Sequence, residues 1–447
     1  MTMVEGGMAK RREKSRLMGV LIGGVIVLCG FLLAACGGGG TPGPTASEPA
    51  AQATETPTPI PSPTFTPTPL PSETPTPSPT PGPGLEELIG TPEALAAAAE
   101  LEGAWEAYEQ LATLYPQRAA PLLGQAALAQ REGDVETALE ALRAAATLEP
   151  DNEEALRQFS LLLEQQGEYG ELVGVYDRMI ALRPDDPGLL VARAMAHARL
   201  GHAEEAVADL EAAQALDPYR EYAWLNVAAA ASGQRQYETA IQIASAGLTF
   251  YPEAGRLYLT RGLAYLSLGE AEAALDDFEA AVTLDDLDYT AYHWRGRALA
   301  ELGRTEEAIA SLQRAGELGA DSGVAGLNEA FEAMAAAADL MAISDPQAAF
   351  SYLAEQVFRF GSVDGLLMGY GLIEMRRGND TLAFIRMNSL AEGGYVPALY
   401  WRAVLYERDG ERAEAIEDLR AFLEVRRYGP DAEAARALLE SLGGTGD

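Results

Sequence analysis

Five prolines, Pro116, Pro150, Pro184, Pro218 and Pro252, stand 34 residues apart. A strict period of this length marks stacked two-helix units, none of which can bury its apolar face alone. The chain is therefore constrained to a helix–turn–helix solenoid. With each proline counted as position 32, repeats begin at Ala119, Glu153, Pro187, Glu221, Gly255 and Tyr289. Position 8 is small throughout: Ala126, Ser160, Ala194, Ala228, Gly262 and Gly296. Position 20 is Ala138, Leu172, Ala206, Ala240, Ala274 and Ala308, and position 4 is Leu122, Leu156, Leu190, Trp224, Tyr258 and Tyr292. Position 15 is glycine at Gly133, Gly167, Gly201, Gly269 and Gly303, but Arg235 in the fourth repeat.

Each slot has a physical reason. Two antiparallel helices joined by a short turn must approach closely, and small residues at 8 and 20 permit it. Larger residues at 4 and 24 fill the space beside them. Glycine at 15 suits a left-handed helix cap, and proline at 32 cannot continue the second helix. The proline slot becomes Asp286 and Ala320 in the last two of these repeats, while the other slots hold.

Tyr258, Gly262, Tyr265, Gly269, Ala274 and Phe278 stand together in one repeat, and Trp224, Asn226, Tyr237, Ala240 and Pro252 in another. This pattern resembles the tetratricopeptide repeat family. The resemblance implies an all-α, right-handed superhelical solenoid of about ten antiparallel helix pairs. It also implies a concave groove taking a protein or peptide ligand, with Tyr222, Leu225, Asn226, Ala229, Arg256, Leu259, Leu263, His293 and Arg297 facing it. Ordinary superhelix surface without a ligand is the competing reading.

Two further repeats begin near Asp364 and Val396, 32 residues apart, so the period slips between them. Residues 430–442 read as a closing amphipathic helix with Pro430 in its first turn and Ala435, Leu438, Leu439 and Leu442 on one stripe. Residues 323–362 break register and are rich in Ala, Met and aromatic residues. They read as an irregular helical segment, either a degenerate repeat with a longer turn or a bend presenting Met334, Met341, Phe350 and Phe358 to a partner.

Position 7 is Arg193, Arg261 and Arg402 in three repeats, and position 23 of those repeats is Asp209, Asp277 and Asp418. This correlation predicts charge-assisted bridges between helices. Arg295 is the exception, with Ser311 in the acidic slot.

The N-terminus is a different object. Lys10, Arg11, Arg12, Lys14 and Arg16 precede an apolar run, Leu17 to Leu33, followed by Leu33-Ala34-Ala35-Cys36. A basic region, an apolar core and a small-residue cleavage site make a secretory signal. The ending resembles the lipobox of bacterial lipoproteins, which implies that Cys36 is acylated and becomes the new N-terminus. An uncleaved membrane helix is the alternative, because the run is barely long enough to span. Of the 26 prolines, 15 lie between Pro42 and Pro83. This tract favours extended polyproline II and has no apolar pattern to bury, so it reads as a disordered Thr/Pro/Ser-rich spacer reaching about 150 Å. The chain thus divides into a leader (1–35), Cys36 with the linker (36–84), an array of about seven repeats (85–322), the irregular segment (323–362), two further repeats (363–429) and a capping helix with tail (430–447).

Composition narrows the chemistry. Both lysines, Lys10 and Lys14, and both cysteines, Cys29 and Cys36, lie in or beside the leader. The repeats therefore lack the lysine of a phosphate loop or Schiff base and any thiol nucleophile, which speaks against nucleotide binding. The net charge is −35; the five basic and two acidic residues of the leader contribute +3, leaving −38 on the remainder. Such a surface is a poor partner for nucleic acid. Asp285, Asp286 and Asp288 lack the glycine and final glutamate of a calcium loop, and no zinc ligand set occurs, so no metal or cofactor is expected. His197 reads as packing and His202 as capping or exposed.

The expected function is non-enzymatic: a lipid-anchored scaffold on the extracytoplasmic face of a bacterial envelope, binding a protein or peptide. The alternatives are an assembly factor for a secretion or pilus-type machine and an accessory subunit of an extracytoplasmic enzyme.

Overall fold

The computed structural model describes residues 100–218, 221–322 and 327–444, together with Gly90, Pro92, Glu93 and Ala96. They lie within one compact unit, Thr80–Asp447. The leader, Cys36 and the proline-rich tract fall outside the described residues.

Among the described residues there are twenty helices and no strand. They run α1 (Leu101–Leu114), α2 (Ala120–Glu132), α3 (Val135–Leu148), α4 (Glu153–Gln166), α5 (Tyr169–Leu182), α6 (Pro187–Leu200), α7 (Ala203–Leu216), α8 (Glu221–Gly233), α9 (Tyr237–Phe250) and α10 (Gly255–Ser267). They continue as α11 (Ala271–Leu284), α12 (Tyr289–Glu301), α13 (Thr305–Asp321), α14 (Leu327–Ser344), α15 (Pro346–Phe360), α16 (Asp364–Arg376), α17 (Asp380–Glu392), α18 (Pro397–Asp409), α19 (Arg412–Val425) and α20 (Pro430–Ser441). Successive helices pack on one another along the chain, so the core is a continuous series of nearest-neighbour contacts.

The periodic residues explain the helix ends. α3, α5, α7 and α9 stop at Leu148, Leu182, Leu216 and Phe250, each two residues before a periodic proline. First helices α2, α4 and α6 end on Gly133, Gly167 and Gly201, whose φ values of 80°, 74° and 79° no β-carbon favours. Asn152, Asp186 and Asp288 cap the following helices by accepting hydrogen bonds from Ala155 N, Gly188 N and Thr290 N.

The small slots are close approaches. A β-carbon on Gly262 would stand 2.7 Å from Phe278, and one on Gly296 2.6 Å from Leu312. Both neighbours occupy position 24 of their repeat. Ala126, Ala138, Ala206, Ala228, Ala240 and Ala274 are fully buried.

Residues 327–362 turn out more regular than the sequence suggests. α14 and α15 form a pair whose connection is a single residue, Asp345, which accepts hydrogen bonds from Gln347 N and Ala348 N. Register is lost where the helices lengthen, to 17 residues in α13 and 18 in α14. α14 packs on α13, α15 and α16. Met334 is buried, and Phe350 and Phe360 pack against Tyr370 and Phe331, so of the named Met and Phe residues only Phe358 projects fully into solvent. The alternative of a bend presenting Met and Phe to a partner is not seen among the described residues, since the Ala-rich face of α14 is consumed by packing.

Candidate functional site

Helices α12, α14, α16 and α18 surround a cavity of about 310 Å³. Its wall combines Leu312, Leu340, Met368, Leu372 and Phe422 with His293, Arg297, Glu332, Tyr400, Trp401 and Arg426. The chain closes this space with its own C-terminus. Asp431 and Ala434 of α20 line the cavity, and α20 packs against α19 and α10.

Four basic or hydroxyl groups grip the start of α20. Arg297 reaches Asp431 at 2.6 Å. Arg426, just beyond α19, donates to Asp431 at 3.1 Å and to Glu332 at 3.0 Å. Arg235 donates from Nε and Nη2 to Glu433, at 2.8 and 2.6 Å. The Tyr237 hydroxyl donates to Glu433 at 2.7 Å and accepts from Gly429 N at 3.2 Å. Beneath these contacts Ala432, Ala435 and Leu439 are buried. The two carboxylates sit in the first turn of α20, where the helix dipole also favours negative charge.

The charges shift one another. Burial works to raise the Asp431 carboxyl, but Arg297 and Arg426 hold it below its usual range. Burial pushes Glu332 up, and Arg426 only partly opposes it. His293 is pushed down to about 3, first by burial and then by Arg297, so the imidazole is neutral. Its ring meets Trp294 edge-on at 5.2 Å, and Arg297 stacks over Trp294 at 4.8 Å.

The residues expected in the groove thus separate. Tyr222, Asn226, Ala229 and Arg256 are exposed, and Leu225, Leu259 and Leu263 are half-buried against the core. His293 is buried, and Arg297 faces α20 instead of an open groove. The difference arises because the C-terminal helix turns inward across the first helices instead of merely covering the last pair.

Arg193 and Asp209 form two parallel hydrogen bonds, at 2.8 and 2.5 Å; Arg261 and Asp277 do so at 2.8 and 2.7 Å, and Arg402 and Asp418 at 2.7 and 2.6 Å. Each arginine spends its remaining nitrogen on the second helix of the preceding repeat, reaching Asp177, Ser245 and Asn388 respectively. All three acceptors occupy position 25, so one arginine fastens three helices. Arg295 reaches Glu279, also at position 25, only at 3.5 Å, and its buried Nε is left without a partner. Ser311 instead donates to the Tyr292 carbonyl.

His197 is half-buried, with burial lowering its pKa, and its ring lies 5.7 Å from that of the exposed His202. His202 makes no side-chain capping bond. Asp285 accepts a hydrogen bond from Leu287 N in the loop and Asp288 one from Thr290 N of α12, and among the described residues no cluster could hold a metal ion. No described helix is long and apolar enough to cross a membrane. Cys36 lies outside the described residues.

Sequence reasoning missed Arg235, Tyr237, Arg426, Glu332, Asp431 and Glu433. One signal was present: Arg235 stands where the other repeats have the turn glycine. Its φ is 61°, and it is the one non-glycine residue with positive φ among the described residues.

Tetratricopeptide repeat models match residues 122–187 and 259–322, residues 159–224, and residues 397–425. No curated protein has a matching sequence. Among solved structures the chain is similar to one in the Naa15/Naa10 assembly bound to HypK-THB, at 16% identity and TM-score 0.40, covering 76% of this chain and 58% of that one. It thus spans less than two thirds of that protein's length. A tetratricopeptide repeat protein from Parabacteroides merdae ATCC 43184 is similar at 17% identity and TM-score 0.31, over 62% of this chain and 93% of its own. MamA from Desulfovibrio magneticus RS-1 is similar at 22% identity and TM-score 0.29, over 38% and 97%. The chain carries tetratricopeptide repeats, and its described helices form an all-α solenoid of the tetratricopeptide type.

Proposed function

We propose that this protein is a non-enzymatic scaffold that holds a protein or peptide partner against the first helices of its repeats. The observation that carries this reading is that the same face already holds a helix, α20, through ion pairs over a small apolar floor. On α8 and α10, Tyr222 and Arg256 leave exposed aromatic and basic groups, and Asn226 and Ala229 are exposed with them. We further propose that Cys36 carries a lipid anchor and that the proline-rich tract lifts the array off the extracytoplasmic face of a bacterial membrane. The Leu-Ala-Ala-Cys ending supports this.

Two measurements test the reading. Chemical crosslinking and capture from membranes should retain a defined partner with the wild-type chain and lose it with Tyr222→Ala/Asn226→Ala/Arg256→Ala. Retention of the same proteins by both chains, or of none, contradicts it. The mass of the mature N-terminus should show an acylated Cys36; an intact leader contradicts the anchor.

A further inference from the structure

We propose that α20 is an internal stand-in for the partner, and that the partner is a helix of the same chemistry. That helix has two carboxylates in its first turn, two residues apart, followed by a stripe of alanines and leucines. This rests on the scaffold reading above and specifies the ligand for the covered part of the face.

Three observations carry it. The apolar part of the α20 contact is one stripe, with Ala432, Ala435 and Leu439 buried and Leu438 and Leu442 partly buried beside Leu419 and Phe422 of α19. What specifies its seat is charge: Asp431 between Arg297 and Arg426, and Glu433 against Arg235 and Tyr237. Ion pairs of this kind, with Arg235 and Glu433 side chains 47% and 21% exposed, are open to exchange with another carboxylate of equal geometry.

The second observation is the backbone of Arg235. Seven other repeat turns use glycine with φ between 73° and 85°, and this turn alone carries a side chain at positive φ. A strained conformation kept at a contact is how functional positions differ from structural ones. Here the side chain carries its guanidinium to Glu433 of α20.

The third is electrostatic mismatch with the rest of the molecule. The chain carries −35 overall, yet the side chains that bind the two first-turn carboxylates of α20 are arginines and a tyrosine. An acidic-headed helix is repelled elsewhere and attracted here. Insertion of such a helix into a groove, in place of one already there, converts partner binding into a competition.

The test uses the full chain with Asp431→Ala, Glu433→Ala and Leu439→Ala, which frees the seat and leaves Arg235, Tyr237, Arg297 and Arg426 untouched. The probe is a fluorescein-labelled synthetic peptide of residues 427–443. The proposal expects this variant to bind the peptide at least tenfold more tightly than wild type. It also expects binding to vanish when the peptide carries Asp431→Lys and Glu433→Lys. Equal binding of both peptides, binding of neither, or self-association of the variant in place of peptide binding overturns it. Wild-type hydrogen exchange is an independent arm. Amides of α20 should exchange at least a hundredfold faster than those of α12, and equal protection overturns the proposal. A chain that captures a membrane partner through Tyr222 but ignores the peptide fails this inference alone. One that binds the peptide but captures nothing from membranes fails only the scaffold reading.

Discussion

Arg235 and Glu433, 198 residues apart in the chain, meet through two parallel hydrogen bonds of 2.8 and 2.6 Å. The arginine holds a left-handed backbone, φ 61°, at a turn position that seven other repeats fill with glycine. That conformation costs a non-glycine residue about 1–2 kcal/mol. Replacing Arg235 by glycine therefore has two opposed effects. The variant should stabilise the α8–α9 turn by about 1 kcal/mol in urea unfolding, while amides of α20 exchange roughly tenfold faster. Loss of both would show that the turn depends on the ion pair.

Asp277 is 4% exposed and holds Arg261 at two points. Removing one member of such a pair leaves the other buried and uncompensated. Asp277→Ala should cost about 3–5 kcal/mol, whereas Arg261→Met with Asp277→Leu should stay within about 1 kcal/mol of wild type. Additive losses in the urea double-mutant cycle would contradict this.

Glycines separate by what surrounds them. A β-carbon at Gly262 would meet the buried Phe278 ring at 2.7 Å, so Gly262→Ala should destabilise by about 1–3 kcal/mol despite better helix propensity. Gly174, in α5, has nothing within 4 Å of the added carbon. Gly174→Ala should raise stability by about 0.5–1 kcal/mol. Thermal unfolding of the two variants checks the opposite signs.

His293 links the site to pH. Its pKa falls from 6.5 to about 3 through burial and the neighbouring Arg297, with Asp431 opposing and Arg426 assisting. The folded protein keeps the imidazole neutral while the unfolded chain protonates it. Its contribution is therefore complete above about pH 6.5 and is lost as pH falls toward 3, by about 1.4 kcal/mol per unit. Glu332 has a raised pKa and acts in the opposite direction, so the comparison must be internal. Wild type should lose about 2 kcal/mol more than His293→Gln between pH 6.5 and 5. Parallel pH profiles would contradict the buried neutral imidazole.

The solenoid was legible because its determinants are local. Gly262 against Phe278, glycine at most of the turns and proline two residues past the second helices α3, α5, α7 and α9 are all set within one repeat. The occupant of the inner face was not. Arg297 and Asp431 lie 134 positions apart, and their meeting depends on small rotations accumulated over several repeats. Pattern reading places Arg297 toward the groove but cannot show that a helix of the same chain arrives there. The Met- and Phe-rich stretch left two readings open for a related reason: Met334 packs on α13 at Gly316, a contact that composition alone does not distinguish from exposure.

The central claim is that the C-terminal helix occupies the inner face of the repeats. It is tested most directly in a full chain with Cys29→Ser, Cys36→Ser, Arg235→Cys and Glu433→Cys, treated with a short bis-maleimide. The account predicts an intramolecular cross-link in the monomer, identified by mass spectrometry of the joined peptides. Recovery of both cysteines singly modified, with no joined peptide, would contradict it.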